Sequence, residues 1–192
     1  MAANWPDVLE FWFGAPGSPE LGRNRGQWFQ KSDAFDASIR ERFLATHEAA
    51  AAGRLDGWAE RPLAALALVV ALDQFPRNMF RGTPRAFATD TKALAVARGI
   101  VSRSFDATYV PVQRWFAYLP FEHAEDLAAQ TESLALFDRL RDDPGNAGTL
   151  GYAMRHYAVI ERFGRFPHRN AILGRASTPG ELAFLAAPGS SF

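Results

Sequence analysis

The sequence predicts an all-α protein, a single domain of about eight helices, and three observations carry that prediction. Nearly every apolar segment has the spacing of one helix face, and no stretch sustains the alternation with β-branched residues that a strand requires. The uncharged apolar run from Pro62 to Leu72 is hydrophobic on all sides, the mark of a helix buried at the centre of a bundle. Helix starts and stops punctuate the chain: Pro6 with Asp7, Pro111 and the pairs Thr83-Pro84 and Thr178-Pro179 open segments, while Gly14 and Gly53 close them.

In chain order, the first helix opens at Asn4 and carries Val8, Leu9, Phe11, Trp12 and Phe13 before Gly14 stops it. A loop rich in Gly, Pro and Ser runs to Arg25. The second helix starts at Ser32 or Asp33, places Phe35, Ile39 and Phe43 on one face, and ends at Gly53. The third runs from Pro62 to Phe75, where Pro76 is expected to end it, because the ring lacks an N–H and clashes with the preceding turn. A helix from Pro84 or Thr89 to Ser102 follows, then a short one after Pro111 that carries Trp115 and Phe116. Next come a long helix from Phe121 to Arg141, a turn through Pro144 and Gly145, and a helix from Ala147 to Phe163. The last helix begins at Thr178, where Glu181 completes a capping box. The tail over 188–192 is expected to be loose.

Bulk properties narrow the function classes. A chain of 192 residues buries roughly 70% of the surface its unfolded form exposes. Acidic and basic residues balance at 21 each, so no global field favours nucleic acid or an anionic membrane, and neither is expected as a partner. The absence of cysteine excludes disulfides, thiolate zinc sites, iron–sulfur clusters and cysteine nucleophiles. The N-terminus lacks the basic and apolar regions of a secretory signal, and no apolar run approaches the ~20 residues of a membrane span. The expectation is a cytoplasmic protein. There is no phosphate-binding Gly-rich loop, no Gly-x-Ser-x-Gly elbow, no His-Glu-x-x-His and no Glu-x-x-His pair, so neither a cofactor nor a metal is expected.

One phrase occurs twice. Phe75-Pro76-Arg77-Asn78 and Phe166-Pro167-His168-Arg169-Asn170 each close an apolar run, and each precedes a glycine (Gly82, Gly174) and a Thr-Pro pair. They read as two helix-to-helix corners. Asp73 and Gln74 sit at the C-terminal end of the buried helix, where a carboxylate meets the negative end of the dipole, so Asp73 calls for a cation. Arg77 and Arg169 are the candidates. Two readings stand for the corners: ion pairs that tie helix ends together, or an anion site formed by Arg77, Arg81, Arg165 and Arg169 near helix N-termini.

Polar residues also fall on apolar faces. On the long helix from Phe121, Glu125, Glu132 and Arg139 share one side, and Leu127, Leu134 and Phe137 define the core side. His123 and Gln130 lie on that core side, with Asp126 at its edge. On the next helix, His156 lies within the stripe of Ala153, Tyr157, Ile160 and Phe163. Burying such groups costs a few kcal/mol each unless they are paired. Three of the four histidines therefore gather in one polar region.

These segments carry a resemblance. Glu10-Phe11-Trp12-Phe13-Gly14, Leu72 to Asn78 with Arg81-Gly82, His123-Ala124-Glu125-Asp126 with Gln130, and Arg162 to Asn170 with Leu173-Gly174-Arg175 resemble domain-of-unknown-function family number 924. That family is uncharacterised and chiefly bacterial, and the resemblance covers essentially the whole chain. It implies a fold similar to tetratricopeptide-repeat helical hairpins, although the ~34-residue consensus of that repeat is not visible. It brings no reaction with it.

Two functions fit. In one, a pocket of Asp73, Arg77, His123, Asp126, His156, Arg165, His168 and Arg169, with Asn78, Arg81, Gln130 and Asn170 beside it, binds a small anionic molecule. His123 or His156, with Asp126, is then the acid–base group. In the other, the chain is a helical scaffold for a protein or peptide partner, and these groups serve the fold. The oligomeric state is not read from the sequence.

Overall fold

Side-chain caps set the first helices. In the computed structural model, which describes residues 2–143, 145–146 and 148–190, α1 (Trp5–Phe13) follows Asn4, whose N–H donates to Asp7. The expected turn at Pro144, the helix start at Ala147 and tail positions 191–192 lie outside the described residues. The carbonyls at the end of α1 accept from Arg25 Nη1 and Trp28 Nε1, which pins the Gly- and Pro-rich loop onto the helix. α2 (Asp33–Ala51) is capped by Ser32 and buries Ile39 and Phe43.

The centre of the molecule is one rod. α3 (Pro62–Val69) runs into a π turn (Val70–Gln74), in which Phe75 N–H reaches back to the Val70 carbonyl, and continues as α4 (Phe75–Met79). Every residue from Ala64 to Pro76 is buried, as the all-round hydrophobicity predicts. Pro76 does not end the helix, contrary to expectation. A proline at that position cannot donate to Leu72, four residues back, and would crowd its carbonyl in a regular helix. The widened turn opens the ladder there, and the Leu72 carbonyl accepts from Thr89 Oγ1 at 2.5 Å instead.

α5 (Asp90–Ser102) and α6 (Pro111–Glu122) pack against the rod, and α7 (Leu127–Asp138), α8 (Thr149–Phe163) and α9 (Pro179–Leu185) lie beyond them. Counting the rod once, the described residues form eight α-helices and no strand. None is long and apolar enough to cross a membrane. Trp12, Phe13, Trp28, Phe75 and Phe116 interlock by edge and stacking contacts, with centroids 4.7–6.0 Å apart. Each such buried side chain contributes about 1.5–3 kcal/mol.

The expected long helix from Phe121 to Arg141 is in fact two. Phe121 and Glu122 end α6, and α7 starts at Leu127 with Asp126 as its N-cap, accepting from Ala129 N–H at 2.7 Å. Buried Gln130 donates to the Glu122 and Ala124 carbonyls at 2.6 and 2.9 Å, supplying the partners that the broken end of α6 lacks. Leu127 is consequently exposed rather than core-facing. α7 and α8 pack against each other.

After α8 the chain builds a second, smaller core from Val159, Ile160 and Phe166, with Phe163 and Phe184 against it. Thr178 and Glu181 form the capping box of α9, and Ser190 Oγ donates to the Leu185 carbonyl. The seam between this small core and the main one is polar.

Candidate functional site

The π turn delivers Asp73 to that seam. Its carboxylate is wholly buried and accepts from His123 Nδ1 at 2.8 and 3.0 Å and from Gln74 Nε2 at 2.6 Å. Arg77, one turn on, approaches Asp73 Oδ1 at 3.2 Å. Burial alone would raise the pKa of Asp73. Arg77 and then His123 and Gln74 outweigh it and hold the carboxyl well below the usual range. Arg77 is thus the cation that Asp73 calls for.

Asp90, in the first turn of α5, is the meeting point of the twin phrases. Arg77 grips it bidentately at 2.8 and 3.0 Å, and Arg169 from the second phrase reaches it at 3.3 Å. Arg77 also donates to the Asp73 carbonyl at 2.7 Å. Arg169 is differently placed. It is 6% exposed, its Nε has no partner among the described residues, and the Asp90 contact is the single hydrogen bond of its side chain there. The Phe87 and Phe166 rings lie 4.6 and 4.5 Å from its guanidinium carbon. Burial, then the neighbouring Arg77, pull its pKa down to about 10.

His123 sits at the C-cap of α6, 15% exposed at its side chain. Because a carboxylate only accepts, Nδ1 carries the proton toward Asp73 and Nε2 is left as an acceptor. Burial, followed by Arg77, lowers the pKa of the ring despite Asp73, which keeps it neutral near pH 7. A cleft of about 410 Å³ opens over this array, lined on its polar side by Asp90, His123, Glu125 and Arg169 and on its apolar side by Phe87, Leu94 and Leu173. Glu125 is itself neutralised, by bidentate bonds from Arg175 at 2.6 and 2.8 Å and one from Phe166 N–H.

Behind His123 lies a second buried pair. The His156 ring is 6.4 Å from that of His123, and its Nδ1 donates to the Tyr152 carbonyl and lies 3.3 Å from Glu122. Burial, reinforced by Asp73, pushes Glu122 up to about 8, and burial takes His156 down to about 3. Both are therefore neutral near pH 7. His168 packs on Phe166, and burial, then Arg169, lower its pKa to about 4.

Asp73, Arg77, His123, His168 and Arg169 are thus gathered at the seam, with His156 behind. Asp126 touches the cleft but serves as the cap of α7. Asn78 and Arg81 turn the other way and bind Asp36 of α2. Arg165 is engaged by Glu181, Asn170 by Arg175 and Ser177, and Gln130 by main-chain carbonyls. Sequence reasoning missed Asp90, Phe87, Glu122 and the inward role of Glu125. Asp90 follows a Thr at a helix start, an ordinary first-turn acid, and Glu125 falls on a solvent face only if the helix is unbroken. No group of three or more His, Asp or Glu side chains among the described residues is arranged to hold a metal ion.

Residues 8–189 match the model of a family described as bacterial protein of unknown function (DUF924). The solved structure of a protein of unknown function from Agrobacterium tumefaciens is similar along almost its whole length. It has 42% sequence identity, with coverage of 95% of this chain and 96% of that one and a TM-score of 0.83. No curated protein matches.

Proposed function

We propose a function for a chain that belongs to the DUF924 family, bacterial proteins of unknown function: its cleft binds a small anionic molecule and presents it to the neutral imidazole of His123. One observation carries this reading. Arg169 is buried on the same cleft wall as His123, yet its guanidinium makes a single hydrogen bond to the described residues. A guanidinium taken out of water calls for more compensation than that, and an anion in the cleft would supply it.

His123 supports an acid–base role for the same site. Asp73 fixes the tautomer and orientation of the ring, and the lowered pKa leaves Nε2 unprotonated near pH 7 and free to accept a proton from a bound molecule. The test is a thermal-shift screen of the whole protein against carboxylates, phosphate esters and nucleotides. A compound at 100 times its Kd stabilises by about 2.7 kcal/mol, or about 5–10 °C for a chain of this size. The expected result is a shift that disappears in Arg169→Ala while that variant remains folded. A panel with no shift would sink the reading and turn the search to protein or peptide partners.

A further inference from the structure

We infer that the cleft selects a monocarboxylate with an apolar body over a phosphate; this rests on the anion-binding reading above and names the ligand class. The charges around the cleft are almost all spent. Arg77 is committed to Asp90 and to the Asp73 carbonyl, and Arg175 to Glu125, the Phe166 carbonyl and Asn170. Of these three arginines, Arg169 alone has a buried donor, its Nε, with no partner among the described residues. Of the three carboxylates on the cleft, Asp90 is shared by Arg77 and Arg169, Glu125 is paired with Arg175, and Asp126 caps α7. His123 brings no second positive charge, since its ring is neutral near pH 7.

One guanidinium suits one negative charge. A phosphate monoester carries about −1.5 to −2 near pH 7, and its second charge would find no further uncommitted cation on the cleft wall. A carboxylate carries a single charge, and its two oxygens match the planar guanidinium fork. The remaining wall points to the rest of the molecule. Pro84, Phe87, Leu94 and Leu173 offer an apolar surface, and about 410 Å³ accommodates a short acyl chain or a single ring.

Titration calorimetry of the whole protein with hexanoate, succinate and inorganic phosphate at pH 7 and low salt tests this. Hexanoate should bind at least about tenfold tighter than phosphate or succinate. Arg169→Gln should weaken it by about tenfold or more, and Leu173→Ala, at a half-exposed position, by several-fold, with both variants folded by circular dichroism. Tighter binding of phosphate that is lost in Arg169→Gln would overturn this inference and leave the anion-binding reading standing. Hexanoate binding unchanged in Arg169→Gln, or no heat from any of the three, would also overturn it. The wider panel decides the anion-binding reading separately.

Discussion

Phe75-Pro76-Arg77-Asn78 and Phe166-Pro167-His168-Arg169-Asn170 spell nearly the same words on opposite backbones. The first lies inside a helix that a π turn carries past its proline. The second lies beyond a helix already ended by Gly164, whose φ of 69° is left-handed, and it forms a short 3-10 turn. Both send their arginine to Asp90, and both couple their asparagine to an ion pair, Arg81 with Asp36 in one and Arg175 with Glu125 in the other. The copies part company at the arginine. Arg77 makes three hydrogen bonds, to Asp73 and Asp90; Arg169 makes one from its side chain and keeps an unpartnered Nε beside a cleft. Repetition of a phrase therefore does not imply repetition of a setting: one copy is fully tied into the fold, and the other is the one to which we assign the proposed anion.

Removing the two arginines tests that difference most directly. Arg77→Ala should cost about 3–5 kcal/mol in urea unfolding, because it strands the buried charge of Asp73. Arg169→Ala should cost about 1 kcal/mol or less, since relief of its own desolvation offsets the lost ring contacts. Equal losses would erase the contrast. A pH experiment addresses the layer behind. Folded Glu122 keeps its proton up to about pH 8, whereas its ordinary value is 4.5, so the folded state binds more protons between those limits and stability falls as pH rises through them. Glu122→Gln should remove that fall and raise the unfolding free energy at pH 8 relative to pH 5, by up to about a few kcal/mol in urea titrations. An unchanged pH profile would place Glu122 in water.

Smaller effects probe the backbones. Thr89→Val should cost about 1–3 kcal/mol, because it leaves the buried Leu72 carbonyl without a donor beside Pro76. The second copy has no such dependence and leans on glycine instead. Gly164→Ala should cost about 1–2 kcal/mol for its left-handed φ, with the midpoint of thermal unfolding as the readout.

What the sequence reveals about this molecule is what short-range chemistry decides. The caps at Asn4, Ser32 and Thr178 and the buried run before Leu72 are legible because each depends on neighbours within a turn or two. The break after Glu122 is not, since Gln130 must fold back to donate to the carbonyls left open there. Passage of a helix through Pro76 is not either, because the donor that permits it comes from Thr89. The site shows the same division. Asp73 and His123 each stand out as polar residues in apolar company, but their partnership spans 50 positions. Asp90 gathers both arginines yet carries no local sign of it, and the sequence does not distinguish the spent guanidinium from the unspent one.

The π turn over Val70–Gln74 has one more consequence, for how this segment tolerates change. It holds a residue more than a regular helix would, so losing any single codon there would leave a straighter rod. Yet each residue of helix advances by about 100° and 1.5 Å, so Arg77 and Asn78 would rotate away from Asp90 and Asp36 together. Substitutions at Val70, Ala71 or Leu72 exchange one apolar neighbour for another, whereas a deletion throws the downstream half of the rod out of phase with α2 and α5. The count of residues between Pro62 and Pro76 is thus as much a part of the site as their identity.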